Sequence, residues 1–486
     1  MYTRFGDEGS LRLLVCTVFG VFLLVVRFTW RLTGRPFVWL GDALSNQENG
    51  SLIKTLRWVL YVVSAVAIIV VLVVKVALET PDNLVSLAGL TTFILVTYII
   101  SMNPARVKWH PVYWGLILQF YFALVILRTR WGYEAFRWMG DRVAEFLAHT
   151  RAGSEFVFGR QPAFSMAFSV MPMVTFFSAV ISVLYYLGVM QAIVGVIGRF
   201  LGFCLGTTPA ESLNAAGSIF IGMIPANHLL SASVMSAPAA LAMSKLMCPE
   251  TEEPIISADD YGTMEDSEDR NLIDAITTGA TTSIKLIASM IVNLIAFLAL
   301  LAFVNATLTW FGERVDIHNL TFELICSYVL YPVALAMGTR PQDCRRVARL
   351  VGVKTFTNEF IAYERLKDLL ENKKRWLNYT QVYNSSSDWL WHDQDAFLVR
   401  TNETLVGGFL SVRSELISTY ALCGFANFGS VGILLGALST LAPKRKPEMS
   451  RIILRAMIAG NIACFMTACI AGLFFQEFQD GTYRVN

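Results

Sequence analysis

The chain has 486 residues, of which 55% are hydrophobic and only 16% are charged, and its mean hydropathy is +0.53. A soluble protein would carry about 25% charged residues, so this composition excludes an ordinary soluble protein and predicts an all-α, polytopic membrane protein. The net charge is +2 and the basic residues are scattered over loops, which argues against nucleic acid as a partner.

Ten apolar runs follow one another along the chain, and each is long enough to cross or nearly cross about 30 Å of hydrocarbon. The first follows Arg4 and Arg12 without a small-residue cleavage site, so we expect a retained helix rather than a signal peptide. Together the runs predict eight to ten spans. The runs lie near residues 13–26, 57–78, 84–101, 112–127, 164–187, 229–247, 276–304, 322–338, 415–442 and 452–475.

Loop charge predicts the orientation of these spans. The segment "PKRKPEMSR" (443–451) joins the last two runs and is densely basic, which places it in the cytoplasm. The polar loop 371–412 then lies outside, and it contains a cluster of acceptor patterns for N-glycosylation. By the same count the acidic loop "PETEEPIISADDYGTMEDSEDR" lies inside. The predicted acceptors are Asn378, Asn384 and Asn402 in the polar loop, with Asn305 and Asn319 after the run 276–304.

An internal repeat relates two parts of the chain. The pattern Gly-Thr-x-Pro-x-acid occurs in "GTTPAESLNAAGSIFIG" from Gly206 and again in "GTRPQDCRRVARLVGVK" from Gly338. We call these the first and second copies. Pro209 and Pro341 suit the first turn of a helix. Duplicated halves with broken helices and half-length hairpins place a site near the bilayer midplane in many secondary transporters, so the repeat predicts inverted repeats, re-entrant hairpins, broken helices and a transport function.

The second copy carries polar residues within apolar surroundings. In "FTNEFIAYERL", Asn358 and Glu359 fall in a predicted re-entrant hairpin, where an ionised carboxylate is costly unless it meets water, a cation or a ligand. In "ALCGFANFGSVG", Asn427 and Ser430 share a helical face among glycines that weaken the helix. An unwound segment would free backbone carbonyls for a ligand, whereas the alternative interpretation of Asn427 and Ser430 is interhelical packing.

Enzyme activity is not predicted. The chain contains no His-Glu-x-x-His, no Gly-x-Ser-x-Gly and no Walker-type Gly-x-x-x-x-Gly-Lys-Ser/Thr sequence, so no metal hydrolase, serine hydrolase or ATP-driven pump is indicated. The eight Cys lie mostly inside apolar runs, at spacings that match neither a zinc site nor a disulfide framework. No metal site is expected, and transport would be passive or coupled to an ion gradient.

Several segments resemble one known family. "HLLSASVMSAPAALAMSKLMCPETEEP", "ARLVGVKTFTNEFIAYERL", "SELISTYALCGFANFGSVGILLGALSTLAP" and "AGNIACFMTACIAGLF" are similar to the concentrative nucleoside transporters, as are "RAGSEFVFG" and "VISVLYYLGVMQ". The resemblance extends over most of residues 80 to 475. It implies a homotrimer in the plasma membrane, in which a sodium or sometimes a proton gradient drives nucleoside uptake by an elevator-like motion of two opposed hairpins. It implies no cofactor apart from Na⁺ as coupling ion.

The resemblance also assigns residues. At matching positions, Glu359 with its neighbour Asn358 on the second hairpin, and Asn427 with Ser430 on a broken helix, would bind the ribose hydroxyls. A carboxylate that accepts from vicinal hydroxyls is chemically sensible. Where the family typically has Asn in "GNIFVG", this chain has Ser218 in the predicted sodium site, to which Ile221 would contribute a carbonyl.

The first copy departs from the family after "AAGSIFIG". Family members continue with a Gln-Thr-Glu segment that binds the nucleoside, a second hairpin arm and a broken helix, and none of these is present here. The stretch from Gly206 to the next helix at Leu229 is less than a third as long as the stretch from Gly338 to Leu416. The missing arm and the missing helix would cross the membrane in opposite directions. Their absence therefore leaves every later segment on the same side of the membrane. The connection 223–228 could span roughly 20 Å when extended.

These observations predict the domain organisation and leave the function open between alternatives. The first is a sodium-coupled nucleoside symporter; the second is a non-transporting isoform or regulatory subunit that assembles with full-length relatives; a passive leak is the third. The predicted divisions are N-terminal transmembrane helices 1–110, scaffold helices 111–200, a truncated first transport repeat 201–249, an acidic cytoplasmic loop 250–275, a scaffold helix with its extracellular end 276–320, a second transport repeat 321–475 that includes the glycosylated loop 371–412, and a C-terminal tail 476–486.

Overall fold

The computed structural model describes residue 17 and residues 50–159, 166–219, 227–251, 269–317, 320–383 and 388–476. Helices dominate these ranges, which confirms the all-α polytopic class. Helices α1 and α3 continue beyond their ends as π-helical stretches, Leu72–Ala77 and Leu124–Arg128. The helices are α1 Gly50–Val71, α2 Leu84–Ile99, α3 Trp109–Ala123, α4 Arg130–Ala148, α5 Thr150–Phe158, α6 Met166–Tyr186, α7 Val189–Leu205, α8 Pro209–Ser218, α9 Asn227–Met247, α10 Leu272–Arg314, α11 Phe322–Val329, α12 Tyr331–Ala336, α13 Cys344–Phe356, α14 Glu359–Tyr383, α15 Val412–Leu422, α16 Phe428–Leu441 and α17 Lys446–Leu473.

Most of the predicted spans are continuous helices. Within the described ranges, six helical segments are long and apolar enough to cross a membrane, and α6 with α7, bent by 83°, would make a seventh. Gly188 forms the bend with φ 75°, a conformation that glycine adopts at little cost. The predicted run 13–26 lies outside the described ranges except for Thr17. The six segments are Trp58–Ala77, Pro81–Ile99, Trp109–Arg128, Leu230–Met247, Leu272–Arg314 and Pro443–Leu473.

Two predicted runs are not single helices. The run 322–338 is divided into α11 and α12 at Leu330, because Pro332 has no amide hydrogen to continue the helix through this point. The run 415–442 is divided into α15 and α16, as the glycines in "ALCGFANFGSVG" predict. Hydropathy alone does not distinguish a continuous span from a broken one of equal length.

The hydrophobic core surrounds the last helix. In the most apolar window of α17, 83% of the residues are buried inside the protein, and the helix packs against α2, α9 and α15. In α10 the corresponding value is 0%, and its extensive contacts are with α6, where the Ser178 hydroxyl donates to the Gly279 carbonyl at 2.7 Å. Helix α17 is therefore an internal element, and α10 is a peripheral one.

Contacts at the helix ends show which loops begin at the same end of the bundle. Near the start of α17, Arg455 donates to the Ile100 carbonyl, and Met102 N donates to the Met247 carbonyl at 3.0 Å. These contacts group the end of α9 with the basic segment 443–451. At the other end of α17, Asn83 donates to the Leu473 carbonyl at 3.1 Å. The loops predicted to be cytoplasmic therefore begin at one end of the bundle.

The two copies of the repeat start with the same backbone geometry. Gly206 and Gly338 both have positive φ, 66° and 88°, and each follows the end of a helix. Thr207 Oγ1 lies 2.7 Å from Ser212 Oγ, and the equivalent pair in the second copy, Thr339 Oγ1 and Cys344 Sγ, is 3.0 Å apart. The structure thus supports the repeat.

The prolines of the two copies differ. Pro209 begins α8, as predicted, and Thr208 caps that helix. The corresponding prediction for Pro341 is wrong. It lies in a turn, and α13 begins only at Cys344; the carboxylate of Asp343 at the N-cap position accepts from the Ser411 hydroxyl at 2.6 Å instead of capping the helix.

A small antiparallel sheet in the loop 371–412 was not predicted. Its strands are β1 Trp389–His392, β2 Asp395–Leu398 and β3 Glu403–Leu405, in the order β1-β2-β3, with Trp389 opposite Leu398. Asp393 and Asn402 adopt positive φ, 53° and 52°, in the two turns between strands. Aromatic side chains cover the sheet, and the ring of Trp376 stacks on that of Phe409 at 4.6 Å.

Candidate functional site

A two-residue break separates α13 from α14, and we call Thr357–Asn358 the hairpin break. The Thr357 hydroxyl donates to the Val353 carbonyl at 2.6 Å and ends α13. The side-chain oxygen of Asn358 accepts from Ile361 N at 3.0 Å, so this residue caps α14. Because α13 and α14 also pack against each other, the segment has the hairpin form that the sequence predicts. Glu359 is the first residue of α14 and is only 3% exposed.

The second element of the site is the break between α15 and α16, and we call Cys423–Asn427 the helix break. Gly424 lies in it with φ 115°, a conformation that L side chains rarely adopt. Asn427 is the N-cap of α16: its Oδ1 accepts from Ser430 N at 2.7 Å, and the residue is 2% exposed.

The hairpin break and the helix break meet at a buried hydrogen bond. Asn427 Nδ2 donates to Glu359 Oε2 at 2.7 Å, across 68 residues of chain. The cap at Asn427 uses its oxygen for Ser430 N, which leaves the amide hydrogens for the carboxylate. Two helix N-termini therefore converge on one carboxyl group.

The close approach of the two breaks depends on a glycine. A Cβ atom at Gly429 would lie 3.2 Å from Asn427 Oδ1 and 3.6 Å from the Thr357 carbonyl oxygen. Glycine at this position lets the backbone of α16 come next to the hairpin break. All four predicted substrate-binding residues thus lie together: Glu359 and Asn427 in direct contact, Asn358 and Ser430 at the two caps.

Three further polar side chains, which the sequence did not single out, bond to backbone carbonyls of α15 and of the helix break. Lys354 is 0% exposed and donates to the Ala421 carbonyl at 3.0 Å. Tyr363 donates to the Thr419 carbonyl at 2.7 Å, and Asn461 donates to the Ala426 carbonyl at 2.8 Å. For Lys354, the signal in the sequence is a single cation in the apolar segment "LVGVKTF", five residues before Glu359.

The predicted sodium-binding residues are only partly described. Ser218 is the last residue of α8, it is exposed, and its hydroxyl donates to the Ala215 carbonyl at 2.7 Å. Ile221 lies outside the described ranges, as does most of the connection 223–228. The sodium site stays a prediction.

The predicted glycosylation sites differ in accessibility. Asn378 and Asn402 are exposed. The amide of Asn305 bonds to neighbouring groups: its oxygen accepts from Phe322 N at 2.8 Å and its nitrogen donates to Glu323 at 3.0 Å. Two further sites, Asn384 and Asn319, lie outside the described ranges.

Solved structures share this architecture. The chain superimposes on CNTnw in an inward-facing substrate-bound state with a TM-score of 0.67 and 27% identity, over 81% of this chain and 97% of that one. A variant of CNTnw in an outward-facing state gives a TM-score of 0.68.

Sequence relatives are more similar. Solute carrier family 28 member 3 of Rattus norvegicus is 43% identical over 465 residues, which cover 86% of this chain. This chain spans 62% of the length of that relative. Sodium/nucleoside cotransporter 2 of Rattus norvegicus is 38% identical over 512 residues, 96% of this chain and 73% of the relative.

An alignment length agrees with the shortened first copy. Solute carrier family 28 member 3 of Eptatretus stoutii is 40% identical over an alignment of 521 residues, which covers 96% of this chain. The alignment is therefore longer than the whole of this chain, which has 486 residues. It follows that the relative has residues at a number of positions where this chain has none.

Two ranges of the chain also match models of one protein family. Residues 88–161 match the family described as Na+ dependent nucleoside transporter N-terminus, and residues 228–472 match its C-terminus, about half of the chain. This is a family of membrane transporters, not of enzymes. The relatives are 38–43% identical to the chain. This multi-pass membrane protein belongs to the Na⁺ dependent nucleoside transporter family.

Proposed function

We propose that the chain is a sodium-coupled nucleoside symporter of the plasma membrane. The observation that carries this proposal is the buried Glu359 carboxylate, held by Asn427 at the meeting point of two helix breaks. A carboxylate can accept hydrogen bonds from two hydroxyl groups at once, which suits the vicinal hydroxyls of a ribose. The names of the relatives, sodium/nucleoside cotransporters among them, support the same substrate and ion.

The site suggests how binding would proceed. Glu359 Oε2 is already engaged by Asn427, so the carboxylate is oriented before substrate arrives. The ribose hydroxyls would donate to the remaining lone pairs, in surroundings from which water is largely excluded and where charged hydrogen bonds are strong. Na⁺ would bind near Ser218 and Ile221 as the coupling ion, with a proton as the alternative. The hairpin and the broken helix would move together in an elevator-like motion, in a homotrimer.

Uptake by cells that express the chain tests this proposal. Radiolabelled uridine and adenosine are supplied in sodium medium and in choline medium, and the surface protein is quantified in parallel. We expect sodium-stimulated uptake, and we expect Glu359→Gln to abolish it at equal surface amount. Surface protein without sodium-stimulated uptake would contradict the proposal.

The shortened first copy favours a second candidate function. The stretch from Gly206 to Leu229 is less than a third as long as its counterpart in the second copy, and the alignment with one relative is longer than the chain itself. A chain that lacks half of the substrate site would act as a non-transporting isoform or regulatory subunit that assembles with full-length transporters. Co-purification with a tagged full-length relative, together with reduced uptake by that relative, would support this candidate; free subunits and unchanged uptake would contradict it.

A further inference from the structure

The buried lysine at the end of α13 has no role in the function proposed above. Lys354 is 0% exposed, and its ammonium group donates to the Ala421 carbonyl at 3.0 Å. The ring of Phe465 lies 5.9 Å from Nζ, near the outer limit for a cation–π contact. Removing an ammonium group from water costs several kcal/mol unless other charges or dipoles compensate it.

The compensation comes from the end of a helix. Ala421 is the penultimate residue of α15, and the last four carbonyls of a helix have no partner within it. These carbonyls carry the partial negative charge of the helix dipole, so a cation is favourable there. Lys354 thus holds the negative end of α15 in the way a bound cation would.

Glu359 makes the opposite contact on the other side of the helix break. Its carboxylate accepts from Asn427, the N-cap of α16, which is the positive end of that helix. Lys354 and Glu359 are five residues apart on either side of the hairpin break, and their opposite charges attract each other. Each charge of the hairpin therefore faces the helix end of opposite sign.

We propose that Lys354 is a positioning residue for the substrate site: its ammonium group and the Glu359 carboxylate form a charge clamp that holds the facing ends of α15 and α16. Because of the clamp, the second copy needs no bound cation at the C-terminal end of α15. When Gly206 is aligned with Gly338, the position in the first copy that corresponds to Lys354 is Gly222, so the sequence provides no side-chain cation there. The consequence for nucleoside binding rests on the proposed function; the clamp itself does not.

A double-variant cycle tests the clamp without any substrate. The midpoint of thermal unfolding is measured for the detergent-purified chain, for Lys354→Met, for Glu359→Gln and for the double variant. Each buried charge also lowers the cost of burying the other one, which has the opposite sign. We therefore expect each single variant to lower the midpoint and the double variant to lower it by less than the sum. An additive double variant would overturn the proposal.

A matched control removes an uncharged hydrogen bond between α14 and α15. Tyr363 on α14 donates to the Thr419 carbonyl on α15, one turn before the end of that helix. Tyr363→Phe removes this bond without changing a charge, so its effect should add to that of Glu359→Gln. If Lys354→Met gives no folded protein, recovery of a monodisperse chain in the double variant supports the clamp, and equal loss of folded protein overturns it.

Uridine binding shows whether Lys354 positions the substrate site or only stabilises the fold. At a temperature where both variants are folded, we expect Lys354→Met to weaken uridine binding at least 10-fold relative to Tyr363→Phe, and equal affinities would overturn the positioning role. If the unmodified chain binds no uridine, the proposed function fails while the unfolding cycle still decides the clamp. If the chain binds uridine and the cycle is additive, only the clamp fails.

Discussion

At the scale of single residues, the contact between Glu359 and Asn427 explains why a carboxylate is tolerated at this depth. The Asn427 side chain donates to the carboxylate at 2.7 Å, and Glu359 begins a helix whose N-terminal dipole is favourable to negative charge. A buried acid with such partners and with free lone pairs is prepared for a ligand that brings hydroxyl donors.

Replacement of this acid should weaken ligand binding in addition to lowering the thermal stability of the chain. Glu359→Gln keeps the shape and an oxygen that can accept from Asn427, but it loses charge-assisted hydrogen bonds to the ribose, worth about 1.5–3 kcal/mol each. We expect uridine affinity to fall roughly 100-fold, measured by isothermal titration calorimetry on the purified chain. Glu364→Gln is the matched control, because Glu364 is exposed on the same helix. Equal affinities of these two variants would contradict the assignment.

At the scale of secondary-structure elements, two arginines of α13 attach the small sheet to the second hairpin, and one of them, Arg345, donates to Asp393 in the turn between β1 and β2 at 2.8 Å. Arg346 on α13 donates to the Gly407 carbonyl at 3.0 Å and to the Gln394 carbonyl at 2.9 Å, and its guanidinium lies 4.2 Å from the ring centre of Trp391. Its side chain is almost fully buried. The sheet is therefore joined to the helix that leads to the hairpin break, and we expect the two to move as one unit.

A conservative substitution at Arg346 should loosen the docking of the sheet. Arg346→Lys keeps the charge, but an ammonium group lacks the planar fork that reaches both carbonyls and stacks on the indole. We expect a loss of about 2–3 kcal/mol of stability and faster proteolysis within the segment 388–410. The control is Arg375→Lys in the exposed pair with Glu403, for which the change should stay below about 0.5 kcal/mol. Identical proteolysis of the two variants would argue against this attachment.

At the scale of the whole molecule, the two ends of the bundle should face opposite sides of the membrane. We expect Asn378 and Asn402 to carry N-glycans, so that Asn378→Gln and Asn402→Gln each increase the electrophoretic mobility by one glycan. A cysteine placed at Arg445, which is exposed, should react with an impermeant maleimide only after the membrane is permeabilised. Labelling of intact cells at this position would show that the orientation is wrong.

The sequence by itself determined the membrane class, the repeat, the place of the helix break and the four residues of the candidate site. These features are local: apolar length, glycine content and the recurring Gly-Thr-x-Pro pattern are visible without knowing any contact. Only the tertiary structure decided that Asn427 reaches Glu359 across 68 residues, that Lys354 meets the end of α15, and that the loop 371–412 contains a sheet docked by Arg346. Such contacts depend on how helices far apart in the chain pack against each other, because an apolar run has the same hydropathy whether it spans, bends or breaks.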